Sequence, residues 1–106
     1  MTAKIIDGKK IANGILNELR SRIKNLKQKP GLALILVGNN PASEIYVDFK
    51  EKRCKETGFY CERYNLDAKT TQLSLLKLIN GLNQKPTIHG ILVQLPLPDH
   101  INEHNI

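Results

Sequence analysis

Three side chains have the types and spacing to do chemistry on a small molecule: Tyr46, Lys50 and Gln94. Tyr46 and Lys50 are four apart, so on a helix they share a face. Ser43, Val47 and Cys54 fall on that same face and surround Lys50 with small and apolar neighbours, while Lys52, Arg53 and Lys55 point elsewhere. Partial burial penalises an ammonium ion and lowers a lysine's pKa. A lysine tuned in this way serves as a general base. The competing reading is a lysine snorkelling from a helix flank, and spacing alone favours it. Tyr46 offers a flat ring that could stack on an aromatic substrate, although spacing alone favours packing against a sheet. Gln94 interrupts an apolar run, and a buried amide must find partners. A ligand, the Lys50 amine and ordinary backbone pairing are all open to it.

The elements that must position these groups can be read from the pattern. Leu32 to Val37 is a continuous apolar run between Gly31 and Gly38, as expected of a strand covered on both faces. Gly38-Asn39-Asn40-Pro41 is a turn, and Pro41 suits the first position of a helix that runs to about Thr57 and stops at Gly58. Ile88 to Leu95 predicts a second buried strand, ended by Pro96 and Pro98, one of which suits a cis bond in a tight turn. Tyr46, Lys50 and Gln94 therefore lie in or just after strand ends, where an open α/β sheet builds a small-molecule site.

The remaining segments complete the order. Ile11, Ile15, Leu16, Leu19, Ile23 and Leu26 recur at helical steps and predict one buried stripe on a helix opened by Asp7 or Gly8. Phe59 to Leu66 predicts a half-exposed edge strand. Leu73 to Leu82 predicts another helix, broken at Gln84-Lys85-Pro86. The order α-β-α-β-α-β forces parallel pairing by right-handed crossovers. The expected fold is a three-layer αβα arrangement around a small parallel sheet.

Composition narrows the function classes. Hydrophobic content of 41% and charged content of 25% are ordinary for one globular domain. No apolar run is long enough to span a bilayer and the N-terminus lacks a signal-peptide pattern, so a cytoplasmic protein is expected. Cys54 and Cys61 are expected to be reduced. His89, His100 and His104 are too few and scattered for a metal site. The net charge of +6 gathers in Arg20–Lys29 and Lys50–Lys55 without interleaved aromatics, which favours a solvated face over nucleic-acid binding. Such a surface would also steer a polyanionic small molecule. There is no G-x-G-x-x-G fingerprint, and Gly38-Asn39-Asn40 would make a weak phosphate cradle.

Four segments carry a resemblance. They are Ile6-Asp7-Gly8-Lys9; Val37-Gly38-Asn39-Asn40-Pro41-Ala42-Ser43 with Tyr46-Val47 and Lys50; Lys52-Arg53-Cys54-Lys55-Glu56-Thr57-Gly58; and Gly90-Ile91-Leu92-Val93-Gln94-Leu95-Pro96-Leu97-Pro98. Over essentially its whole length the sequence resembles the N-terminal catalytic domain of the bifunctional methylenetetrahydrofolate dehydrogenase/methenyltetrahydrofolate cyclohydrolase family. The resemblance implies oxidation of 5,10-methylenetetrahydrofolate with NADP, then hydrolysis of the methenyl product to 10-formyltetrahydrofolate, within one-carbon metabolism and purine biosynthesis. It implies that Lys50 is the catalytic base and proton shuttle, that Tyr46 stacks on the aminobenzoate part of the folate, and that Gln94 hydrogen-bonds and tunes the lysine. Ser43 matches a motif serine near the cleft and is carried as a substrate-binding residue.

The family's pterin-gripping Asp-Gly segment and its NADP-binding Rossmann domain have no counterpart in residues 1–106, so cofactor-binding residues are expected elsewhere and the dehydrogenase step is not expected of this chain alone. Ile101–Ile106 reads as the start of a further element. A sheet face without its covering helix would expose an apolar patch, so a homo-oligomer, such as a homodimer, is expected. The alternative from a different class is a non-catalytic binding or assembly module that keeps the fold and uses the positive charge to hold an acidic partner.

Overall fold

The computed structural model describes residues 2–106. The element order is α1 (Gly8–Lys24), β1 (Gly31–Val37), α2 (Pro41–Thr57), β2 (Tyr60–Leu66), α3 (Gln72–Asn83), β3 (Gly90–Val93) and a terminal 3-10 turn (Glu103–Asn105). The strands form one sheet in the order β2-β1-β3, with both pairings parallel. The α/β class, the parallel sheet and the edge position of β2 match the sequence reading.

Local chemistry sets the element ends. Asp7 caps α1 by accepting from the Lys10 amide, and Thr71 caps α3 by accepting from the Ser74 amide. Asn40 caps α2 through its side-chain oxygen, which accepts from the amides of Ala42 and Ser43, while Pro41 occupies the first turn. At the other end Gly58 adopts φ 90°, a left-handed conformation that terminates the helix. Gly31 is required for a different reason. A Cβ there would lie 1.7 Å from the Thr87 carbonyl oxygen, so only glycine lets the segment leading into β3 come alongside β1. That approach is sealed by the Gly31 amide, which donates to His89 Nδ1 at 2.9 Å, and by the His89 amide, which donates to the Gly31 carbonyl at 2.8 Å.

The core has two halves, one on each side of β1. Leu34 and Leu36 pack with Val47 of α2 on one face. Ala33, Ile35 and Val37 pack with Leu75 and Leu82 of α3 on the other, together with Ile88, Leu97 and Ile101. β1 is thus the strand covered on both faces that its unbroken apolar run predicts.

Three expectations need correction. The stripe on α1 is not buried as a whole. Ile23 is buried, but Ile11 and Ile15 are each 53% exposed, because α1 packs on α2 and not on the sheet. β3 is half-buried because it lies at the sheet's other edge, although the Gln94 amide extends its pairing by donating to the Ile35 carbonyl. The sheet face opposite α2 is not bare. The loop after β3 folds over it and buries Leu97 and Ile101. The unpartnered apolar surface lies instead on α1 and the outer side of α2, where Ile45 and Phe49 are exposed.

Candidate active site at the strand ends

α2 leaves β1 through Gly38–Asn40, so its first turns lie over the C-terminal edge of the sheet, where β3 also ends. A lysine nine residues into a helix stands about 13 Å along the axis from its start. Lys50 nonetheless reaches the strand ends, because helical side chains lean toward the N-terminus. The helix begins at Pro41. Lys50 Nζ donates to Gln94 Oε1 at 2.6 Å in a half-buried setting. The Gln94 Nε2 group donates to the Leu95 carbonyl at 3.0 Å. The two bonds together determine which end of the carboxamide faces the lysine.

Val47 and Cys54, which share the Lys50 face, are both buried, as the spacing predicts. Tyr46 is 58% exposed, so its ring is not packed into the sheet and is free to meet a ligand. Ser43 is 2% exposed, and its hydroxyl donates to the Leu95 carbonyl at 3.5 Å. Ser43 thus lies on the buried side of α2, with its hydroxyl turned to the loop after β3. The Leu95–Pro96 peptide is cis, in line with the tight-turn reading of this loop. Sequence reasoning missed the Leu95 carbonyl. It is a backbone atom, and no residue-type signal marks it. It also read Asn40 as a turn residue only, although an Asn immediately before a helix-opening proline is a capping signal.

Burial raises the pKa of the Cys54 thiol, and burial with the nearby Cys54 pushes Cys61 up to about 11. Both are free, and both are protonated at neutral pH. His100 Nε2 pairs with the Thr70 carbonyl at 2.7 Å. No group of three His, Cys, Asp or Glu able to hold a metal occurs among the described residues.

The turn after β1 does not fit a dinucleotide. The amides that would grip a pyrophosphate at the start of α2 are used internally. Pro41 has no N–H, and the Ala42 and Ser43 amides donate to Asn40 Oδ1 at 3.0 and 3.2 Å.

Residues 6–106 match the family model described as tetrahydrofolate dehydrogenase/cyclohydrolase, catalytic domain. The chain belongs to that family. The family's bifunctional FolD protein of Moorella thermoacetica is 52% identical over 109 residues, which include all of this chain and 39% of that protein. The crystal structure of the FolD dehydrogenase/cyclohydrolase from Campylobacter jejuni superposes with a TM-score of 0.90 at 49% identity, over 92% of this chain and 36% of that one. A 5,10-methylenetetrahydrofolate dehydrogenase from the silkworm Bombyx mori gives 0.92 at 40% identity, over 98% of this chain and 37% of that one. The chain thus spans a little over a third of the length of the family members it matches. No helix among the described residues is long and apolar enough to cross a membrane.

Proposed function

We propose that this chain is the folate-binding catalytic part of a cytoplasmic enzyme that oxidises 5,10-methylenetetrahydrofolate with NADP and hydrolyses 5,10-methenyltetrahydrofolate to 10-formyltetrahydrofolate. The dinucleotide is assigned to a Rossmann domain outside residues 1–106, because the turn after β1 is capped against it. One observation carries the reading: the Lys50 amine is held 2.6 Å from Gln94 Oε1 at the sheet's C-terminal edge, on the same helix face as the exposed Tyr46 ring.

The hydrolytic step follows from that placement. The methenyl carbon lies between two nitrogens in a cationic amidinium and is already electrophilic. Tyr46 stacks on the aminobenzoate ring and fixes the ligand's long axis. A water oxygen bonds to the methenyl carbon, and the Lys50 amine takes the proton that water releases. The carbinol hydroxyl then releases its proton to solvent while its electron pair forms the C=O bond, and the carbon–N5 bond breaks with its pair going to N5. Lys50 returns its proton to N5, the carbon stays on N10 as the formyl group, and one proton is released overall. A cationic ligand disfavours an ammonium at its side, which helps Lys50 act as the base. Gln94 accepts from the amine and holds it toward the ligand.

The test joins this chain to the remaining three fifths of the Moorella relative and follows hydrolysis of methenyltetrahydrofolate by its absorbance. Lys50→Met is expected to lower the rate by about 10²–10⁴-fold, the range of a lost general base, with folate binding retained. An unchanged rate would remove Lys50 from the chemistry.

A second reading is favoured by one feature. Arg20, Lys24, Lys29 and Lys55 gather around a cavity of about 360 Å³ where the C-terminal ends of α1 and α2 meet. A non-catalytic module would use that surface to hold an acidic partner. Salt-sensitive binding to RNA, combined with no folate binding by the extended protein, distinguishes it. We also infer that the chain self-associates through the exposed apolar side of α1 and α2.

A further inference from the structure

The Gln94 carboxamide presents to the Lys50 amine its oxygen, the end that an N–H donor selects, and its nitrogen end is held from the other side by the Leu95 carbonyl. That oxygen accepts from Gln94 Nε2 at 3.0 Å and from Ser43 Oγ at 3.5 Å. An amide whose nitrogen end is engaged has only its oxygen end left for Lys50, and Oε1 is found 2.6 Å from Nζ. Ser43 is buried in the third position of α2, one side of the site, while Leu95 begins the loop after β3, the other side. The Leu95 carbonyl is the only hydrogen-bond partner of the Ser43 hydroxyl among the described residues, and a buried hydroxyl is held to such a partner by the cost of leaving it unpaired.

We propose that Ser43 is a positioning residue: through the shared Leu95 carbonyl it fixes the orientation of the Gln94 carboxamide and so the seat of the Lys50 amine. The proposal rests on the assignment of Lys50 and Gln94 as the working pair, but its mechanical content stands apart from any folate chemistry. In this arrangement the hydroxyl never touches substrate. It ties α2 to the loop after β3, so that the two elements carrying Lys50 and Gln94 cannot shift independently. Removing the hydroxyl frees the Leu95 carbonyl to move, the amide loses its fixed sense, and the amine loses its seat.

The test reads the amine directly. The chain is exposed briefly to acetic anhydride across a range of pH, and acetylation of Lys50 is quantified by peptide mass spectrometry, with exposed lysines such as Lys52 as internal reference. Thermal melts first establish that each variant is folded. Gln94→Ala is expected to speed Lys50 labelling about tenfold and Ser43→Ala about threefold, within the range of coupled neighbours. In the double variant Ser43→Ala should add nothing, because its effect passes through an amide no longer present. Ser43→Thr, which restores a hydroxyl, should return the labelling and its pH profile toward those of the unaltered chain. Unchanged labelling in a folded Ser43→Ala chain would overturn the proposal, as would the same threefold effect in the Gln94→Ala background. Neither result depends on folate turnover, so a failure here and a failure of the catalytic reading are separately visible.

Discussion

At the scale of single residues the proposed site is a lysine and a glutamine in contact and a tyrosine that is not packed. Lys50 and Gln94 meet each other, and Tyr46 stands open. The spacing of Tyr46 and Lys50 on one helix face was legible in the sequence. The meeting of Lys50 with Gln94 was only one of several open partners, because 44 positions separate them and spacing says nothing about such a pair. The openness of Tyr46 gives it a specific expected effect. Replacing it with Ala should weaken binding of a folate analogue by up to about tenfold, the worth of one aromatic stack, whereas Tyr46→Phe should bind nearly as the unaltered protein. Titration calorimetry with the extended protein measures both. Equal losses in the two variants would point to the hydroxyl and away from stacking.

At the scale of elements, the start of α2 is the device that matters. Asn40 satisfies two amides at the helix end, Pro41 fixes the first turn, and the helix then carries Ser43, Tyr46 and Lys50 in register over the strand ends. Asn40→Ala should cost about 1 kcal/mol of stability, read as a lower urea midpoint at unchanged slope. A midpoint equal to that of the unaltered chain would show that the cap carries no weight here. The α1 stripe shows the opposite case. Its helical period correctly predicted a helix, but period reports only that one face is apolar. What that face meets is decided by neighbours, and here much of it meets none.

At the scale of the whole molecule, two features set how the protein behaves in solution. The first is a polar cluster on edge strand β2. The Glu62 carboxylate accepts from Lys85 Nζ at 2.7 and 2.8 Å, from the Tyr60 hydroxyl at 2.6 Å and from the Tyr64 hydroxyl. Lys85 first, then the two tyrosines, lower its pKa from 4.5 to about 2. A carboxylate depressed in the folded state stabilises the fold above its unfolded pKa, and that contribution is lost as pH falls toward the folded value. Stability should therefore drop between pH 4.5 and about 2. Glu62→Gln should melt lower at neutral pH and lose less over that acid interval, as thermal melts across pH will show; a parallel loss in both proteins would place the acid sensitivity elsewhere. The second feature is the exposed apolar side formed by Ile11 and Ile15 of α1 with Ile45 and Phe49 of α2. Sedimentation equilibrium is expected to find dimers or larger species that Ile15→Lys with Phe49→Lys converts to monomers. A monomer at high concentration in the unaltered chain would argue against association through this side.

Short-range signals in the chain set its local order. Apolar period, caps, glycines and prolines act over a few residues, so they fixed three helices, three parallel strands, the buried centre of β1 and the shared face of Tyr46 and Lys50. Tertiary structure decided what those local signals cannot encode. It left α1 half exposed, laid Leu97 and Ile101 over the second sheet face, buried Ser43, and turned a backbone carbonyl into a partner of the Gln94 amide. Each of these depends on where distant segments come to rest. A backbone oxygen in particular has no identity in the amino-acid alphabet until the fold brings donors to it.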